Sequence, residues 1–230
     1  MSVRLDIISI GTLSRNRLWQ ESAAVRTPHA TTTLLRTRDT GGPRNILIDP
    51  GLPTAVQAAR LAERSGLRAE QIDTVFLTNF RPAHRAGLAA FPKATVLLHE
   101  AEREAVGQHL RALLERVADD PESQRTIRQE LEILGRTRAA EDRLAPQIDL
   151  FPLPGYTPGT CGLLVSDATA TSLIAGDAVP TREHLLAAQV LPDAVDVAAA
   201  QESMREVYEI ADIIVPGHDN LFVNPRSYGG

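Results

Sequence analysis

Short apolar runs bounded by turn residues recur through the first third of the chain: Ile8 to Gly11, Thr31 to Arg38, and Asn45-Ile46-Leu47-Ile48-Asp49, the last closed by Pro50-Gly51. β-Branched and aliphatic runs of this length predict strands, and a Pro-Gly pair predicts a sharp stop. At Pro53 the period changes. Ala55, Ala58, Ala59, Leu61 and Ala62 fall at helical spacing up to Gly66, with Pro53 where a first helical turn tolerates it. Ile72 to Thr78 reads as a buried strand that delivers the chain into the loop Asn79 to Gly87, and Thr95 to Leu98 reads as another.

From Glu100 to about Arg143 the pattern is helical nearly throughout. It breaks at Asp119-Asp120-Pro121, where Asp120 is placed to cap a second helix and Pro121 to open it. This predicts a two-helix insertion whose charged face is solvated. Strands return at Ile148 to Leu153, Gly162 to Ser166 and Ser172 to Ala175. A helix at Val197 to Tyr208 and a strand at Ile210 to Val215 complete the chain. No solenoid period and no low-complexity linker divides it. The order predicts an α/β fold, two packed β-sheets with helices outside, as a single domain over 1–230 with a helical insertion at about 100–143.

Composition adds exclusions. With 43% hydrophobic and 23% charged residues in 230, the chain can bury a substantial core, and disorder is disfavoured. The net charge of -5, with Lys93 the only lysine, argues against a nucleic-acid partner, although a local arginine cluster can still bind one anion. Cys161 is the only cysteine, so neither an internal disulfide nor a thiolate metal cluster can form. Charges at Arg4 and Asp6 interrupt any secretory signal, and no run is long enough to span a bilayer. A cytoplasmic protein is expected.

Five loops at strand ends carry candidate chemistry: Asp49-Pro50-Gly51, Thr78 to Gly87, Pro154-Gly155-Tyr156-Thr157-Pro158-Gly159, Ala175-Gly176-Asp177 and Val215-Pro216-Gly217-His218. Singly these are weak signals. In this order they resemble the metallo-β-lactamase superfamily over most of the chain, which implies a four-layer αββα sandwich of two mixed sheets. The resemblance places Asn79 to His84 on the family's H-x-H-x-D-H motif, Tyr156 on the histidine of P-G-H-T-P-G, Asp177 on the bridging aspartate and His218 on the closing histidine. Such clusters suit hydrolysis because zinc needs imidazole and carboxylate ligands with one position open for water.

Carried over position by position, the imidazoles of the family's first metal correspond to Asn79, Arg81 and Tyr156, so that site is expected to be absent. At the second metal an aspartate is replaced by Ala83, while His84 and His218 remain, together with the bridging Asp177. Two imidazoles and a carboxylate suffice for one divalent ion, zinc, iron or manganese. Arg81 pulls the other way. A guanidinium about 4 Å from a divalent ion costs roughly 8 kcal/mol at an effective dielectric near 20. Arg81 is alternatively expected to replace the lost cation by pairing with Asp177, directly or through a neighbouring group.

Among the remaining residues, His184, just after the aspartate loop, is the better pocket candidate, and His99 is read as structural. Tyr156 could donate its phenolic proton to a ligand or leaving group. Cys161 is read as core, and His29 and His109 as surface residues. Two functions follow. One is a hydrolase of esters, thioesters, lactones or phosphoesters with a metal at His84, Asp177 and His218, and with Tyr156 or Arg81 stabilising the oxyanion. The other is a metal-free pseudoenzyme binding a small anionic molecule in a pocket of Arg81, His84, Tyr156 and Asp177, with Asn79 and Ala83 beside it and the helical insertion over its mouth. The insertion could also carry a homodimer contact.

Overall fold

Strands β1 (Arg4–Ser9), β2 (Thr32–Asp39), β3 (Gly42–Ile48), β4 (Thr74–Leu77), β5 (Thr95–Leu98) and β6 (Thr137–Ala139) form one six-stranded sheet in that order. β7 (Arg143–Ala145), β8 (Ile148–Pro152), β9 (Cys161–Ser166), β10 (Thr171–Gly176), β11 (Ile213–Pro216) and β12 (Phe222–Val223) form the second. Both are mixed: β3 to β6 run parallel, as do β10 and β11, and the other pairs are antiparallel. The structure is a computed structural model and describes residues 3–228. Met1 and Ser2, part of the non-secretory reading of the N-terminus, lie outside them.

The helices are α1 (Thr54–Ser65), α2 (Pro82–Arg85), α3 (Glu100–Arg116), α4 (Pro121–Gly135), α5 (Arg182–Leu186) and α6 (Val197–Ile210). Their ends have local causes. Gly66, at φ 73°, closes α1 by donating to Ala62 O. The Asp120 side chain accepts from Glu122 N and Ser123 N ahead of Pro121, and Asp196 caps α6 through Ala199 N. None of these helices is long and apolar enough to cross a membrane.

Three apolar layers explain why the strand runs read as continuous. Leu34, Leu47, Val75 and Leu77 pack on the helical side with Leu61, Leu110 and Leu134, whereas their neighbours Leu35, Ile46, Ile48 and Phe76 face the second sheet. There they meet Ile148, Cys161, Leu163, Ile174 and Val215. On the far side, Leu173 and Ile214 pack against Met204 and Val207 of α6. A sheet covered on both faces has no polar side, which removes the alternation. The result is the αββα sandwich.

One boundary differs from expectation. The helical pair ends at Gly135, not near Arg143, because Thr137–Ala139 joins β5 in parallel and Arg143–Ala145 pairs with β8. These three-residue edge strands hold Thr137 and Ala145 in buried positions. They are too short for a period to be visible in sequence.

Candidate metal centre

Adjacent parallel strands release their loops side by side, and that places the candidate residues together. β3 ends in Asp49 and the neighbouring β4 in Thr78-Asn79; β10 ends in Asp177 and the neighbouring β11 in His218. Ala30 and Thr31, entering β2, tie the two groups together: Ala30 N donates to Ala83 O and Thr31 N to Gly217 O, at 2.8 and 2.7 Å. Cys161 N donates across the sandwich to Thr78 O. The turn after β10 needs Gly176, which adopts φ 53° with Thr78 Oγ1 2.5 Å from where a Cβ would sit.

His84, Asp177 and His218 converge, all buried, with one ligand atom from each lying within 4.8 Å of the others. His84 Nε2 is 2.8 Å from Asp177 Oδ2, and His218 Nε2 is 3.0 Å from Asp177 Oδ1. The opposite edge of each imidazole is fixed. His218 Nδ1 faces two carbonyls, Thr12 O at 3.1 Å and His29 O at 3.0 Å, so it carries the hydrogen. His84 Nδ1 lies 3.0 Å from Asp49 Oδ2 and 3.1 Å from Thr78 Oγ1. Asp49, at φ 50°, is held in turn by Thr78 N and Thr78 Oγ1 at 2.9 and 2.7 Å.

With both Nδ1 atoms placed as donors, each ring when neutral would aim its Nε2 lone pair at the same carboxylate. Asp177 Oδ1 accepts no hydrogen bond from any described residue. Two imidazole lone pairs and an orphaned carboxylate oxygen, all buried, are a donor set short of a cation, and they fit a divalent ion. In the bare protein protons meet part of that need. Burial would lower the pKa of His84, but the charges of Asp177 and Asp49 outweigh it and raise it to about 10. Burial would likewise raise Asp177, but the positive charge of His84 outweighs it and helps hold the carboxyl well below the usual carboxylate range.

Asn79 is fully buried and lies outside the cleft lining, contrary to the expectation of a pocket residue. Its amide is consumed: Nδ2 donates to Asp177 Oδ2 at 2.9 Å and Oδ1 accepts from Arg81 N at 2.9 Å. The expected Arg81–Asp177 pair does not form. Pro82 confines Arg81 to an extended backbone, φ -63° and ψ 145°, ahead of α2. Its side chain, 43% exposed, reaches outward to Asp193 Oδ2 at 3.7 Å and lies over the Tyr156 ring at 5.1 Å. The partners of Asp177 are instead His84, Asn79 and His218, which removes the charge conflict expected between Arg81 and a metal.

A cleft of about 600 Å³ opens over the cluster. Ala83, His84, Asp177 and His218 line it, with Tyr156, Arg81 and His184 around them. Tyr156 Oη donates to Asp193 Oδ2 at 3.3 Å; burial and the Asp177 charge push its phenol far above the usual value, so it stays a protonated donor. Thr181 caps α5 by accepting from His184 N, and its Oγ1 lies 2.9 Å from His184 Nδ1; burial lowers the His184 pKa. The cleft walls are residues 13–15, Arg17, Leu18 and Pro28 on one side and residues 189–193 on the other, with no residue of α3 or α4 among them. The helical pair therefore does not cover this mouth; α3 lines a second cavity beside Phe80 and Arg85. Cys161 is core, its thiol pushed up to about 12 by burial. His29 is half-buried, His109 exposed, and His99 precedes α3.

One residue that holds the site loops escapes sequence reasoning altogether. Glu102, on the predicted solvated face of α3, is 1% exposed and clamps two site loops by accepting from Phe80 N at 3.0 Å and Gly159 N at 3.1 Å. Gly159 packs so closely that a Cβ there would sit 2.0 Å from Glu102 N.

The chain belongs to the metallo-beta-lactamase superfamily, whose profile matches residues 28–218. Solved structures share its fold at low identity. A Thermotoga maritima protein described as a metallo-beta-lactamase superimposes with a TM-score of 0.69 at 17% identity, covering 97% of this chain and 100% of that one. A Staphylococcus aureus protein described as a metal-dependent hydrolase gives 0.65 at 17%, covering 95% and 89%. A quorum-quenching N-acyl homoserine lactone lactonase gives 0.62 at 21%, covering 95% and 93%. No curated protein matches the sequence significantly.

Proposed function

We propose that this protein is a hydrolase of ester-type bonds, in the ester, thioester, lactone or phosphoester class, working with one divalent ion held by His84, Asp177 and His218. The observation that carries this reading is the pair of Nε2 atoms directed at the two oxygens of Asp177, one of them without a hydrogen bond. When bound, a zinc, iron or manganese ion acidifies water and polarises the bond to be broken. The remaining work falls to the chain. Asp49 and the carbonyls of Thr12 and His29 fix the two imidazole tautomers, and such outer partners sharpen ligand orientation. Tyr156 stays protonated beside the cluster, and its O–H, which donates to Asp193 over 3.3 Å in the free protein, would turn from Asp193 to meet developing oxyanion charge, with the Arg81 guanidinium over its ring.

The test is to load purified protein with zinc, iron or manganese and assay nitrophenyl esters, thioesters, lactones and a nitrophenyl phosphodiester. Turnover of one class, reduced at least a thousandfold in His218→Ala, is expected. No turnover with any metal contradicts the reading.

A second reading has its own observation. The Asn79 amide, 2.9 Å from Asp177 Oδ2 and 3.3 Å from His84 Nε2, satisfies part of the carboxylate without a metal. This favours a metal-free protein that binds a small anionic molecule in the same cleft. Zinc titration separates the two: no binding supports the second.

A further inference from the structure

The cleft carries cations that the cluster does not use. The chain has a net charge of -5, yet three arginines, Arg15, Arg17 and Arg81, line the cleft against two carboxylates, Asp177 and Asp193. Both carboxylates are committed, Asp177 to its imidazoles and Asp193 to Arg81 and Tyr156. Arg15 and Arg17 form no ion pair with any described acid.

The segment that holds them is built in advance. Asn16, between the two arginines and buried, accepts from Leu18 N at 3.0 Å through its side chain and donates its own N–H to Glu21 at 2.6 Å. Glu21 is paired with Arg26, which lies over the Trp19 ring at 5.4 Å and donates to Leu13 O at 3.0 Å. Glu21, the one acid between residues 13 and 26, is thus paired with Arg26 and not with Arg15 or Arg17. Arg15 is steadied by a bond from Nη1 to Ser22 O at 3.1 Å. A guanidinium fork suits a carboxylate or a phosphate, and a preformed frame reduces the ordering cost of binding it. Apolar side chains face the cleft from both walls: Leu13 and Leu18 beside the arginines, and Val190 and Leu191 opposite.

We propose that Arg15 and Arg17 form an oxyanion-recognition rim, so that the substrate is an amphiphilic anion with an apolar chain between Leu13, Leu18, Val190 and Leu191. As a substrate class this rests on the hydrolase reading; as a binding site it does not. Trp19, the only tryptophan, sits within the segment and reports on it by fluorescence. Octanoate, octyl phosphate and octanol are titrated against the protein and against the double variant Arg15→Gln, Arg17→Gln, whose fold is checked by circular dichroism. At least one of the two anions should bind, octanol at least tenfold more weakly, and the variant should lose at least tenfold of the anion affinity. Preference for octanoate assigns a carboxylate, and preference for octyl phosphate a phosphate. Octanol binding as tightly as the anions, no binding of either anion at millimolar concentration, or anion affinity unchanged in the variant overturns the proposal. Binding without hydrolysis of any ester-type substrate overturns only the hydrolase reading.

Discussion

His218 Nε2 stands 3.0 Å from Asp177 Oδ1, yet this oxygen receives no hydrogen bond, because the imidazole hydrogen is held at Nδ1 by the carbonyls of Thr12 and His29. Two acceptors facing each other in a buried site repel unless a cation lies between them. The other carboxylate oxygen differs: Oδ2 accepts from Asn79 Nδ2 at 2.9 Å and lies 2.8 Å from His84 Nε2, where a proton serves in place of a cation in the bare protein. Four predictions follow from this cluster and from the loops that hold it.

The metal-free protein should lose stability in base. His84 binds its proton more tightly in the folded chain, with a pKa of about 10 against 6.5. Its contribution is therefore complete below pH 6.5 and is lost as pH rises through about 10. Asp177, depressed in the fold, adds stability that disappears only in strong acid. Urea midpoints of chelator-treated protein should fall between pH 7 and 10, and His84→Asn should flatten that fall. Equal slopes in the two proteins would show that His84 is not the group responsible.

Gly217 should be intolerant of a methyl group for a reason specific to the site. A Cβ there would sit 2.7 Å from Asp177 Oδ1, closer than real contacts allow. In Gly217→Ala the carboxylate must move, and the apparent Kd for zinc should rise at least tenfold by competition with a chromogenic chelator. An unchanged Kd would place the ion elsewhere.

Glu102 should couple stability to catalysis from outside the cleft. Glu102→Ala strands the N–H groups of Phe80 and Gly159, at about 1–3 kcal/mol for each buried donor left unpaired. Glu102→Gln retains one acceptor and should lose about half as much by urea denaturation. If Glu102 positions the loops, the glutamine variant should also lower kcat while leaving the zinc Kd within threefold. A variant with full stability and full kcat would reduce the clamp to an incidental contact.

Much of the fold was legible because its strands are runs such as Ile46-Leu47-Ile48 and Val75-Phe76-Leu77, whose apolar demand from two faces leaves little ambiguity. The helix boundary at Asp120-Pro121 was equally plain, since capping and φ restriction are local. The convergence of His84, Asp177 and His218 was legible through motif order. What escaped depended on contacts between segments distant in sequence. Glu102 reads as a solvated charge on α3 until Gly159, 57 residues on, is seen donating to it. Arg81 looked inward by motif position, but Pro82 and the distant Asp193 turned it to the rim. Arg15 and Arg17 carried no motif at all, and the role proposed for them depends on Arg26 pairing with Glu21.

The most direct measurement is metal stoichiometry, by elemental analysis after loading with zinc and desalting, for the native protein, Asp177→Asn and His218→Ala. The account predicts about one ion per native chain and none in either variant. No ion in the native protein, or one ion retained in both variants, would contradict it.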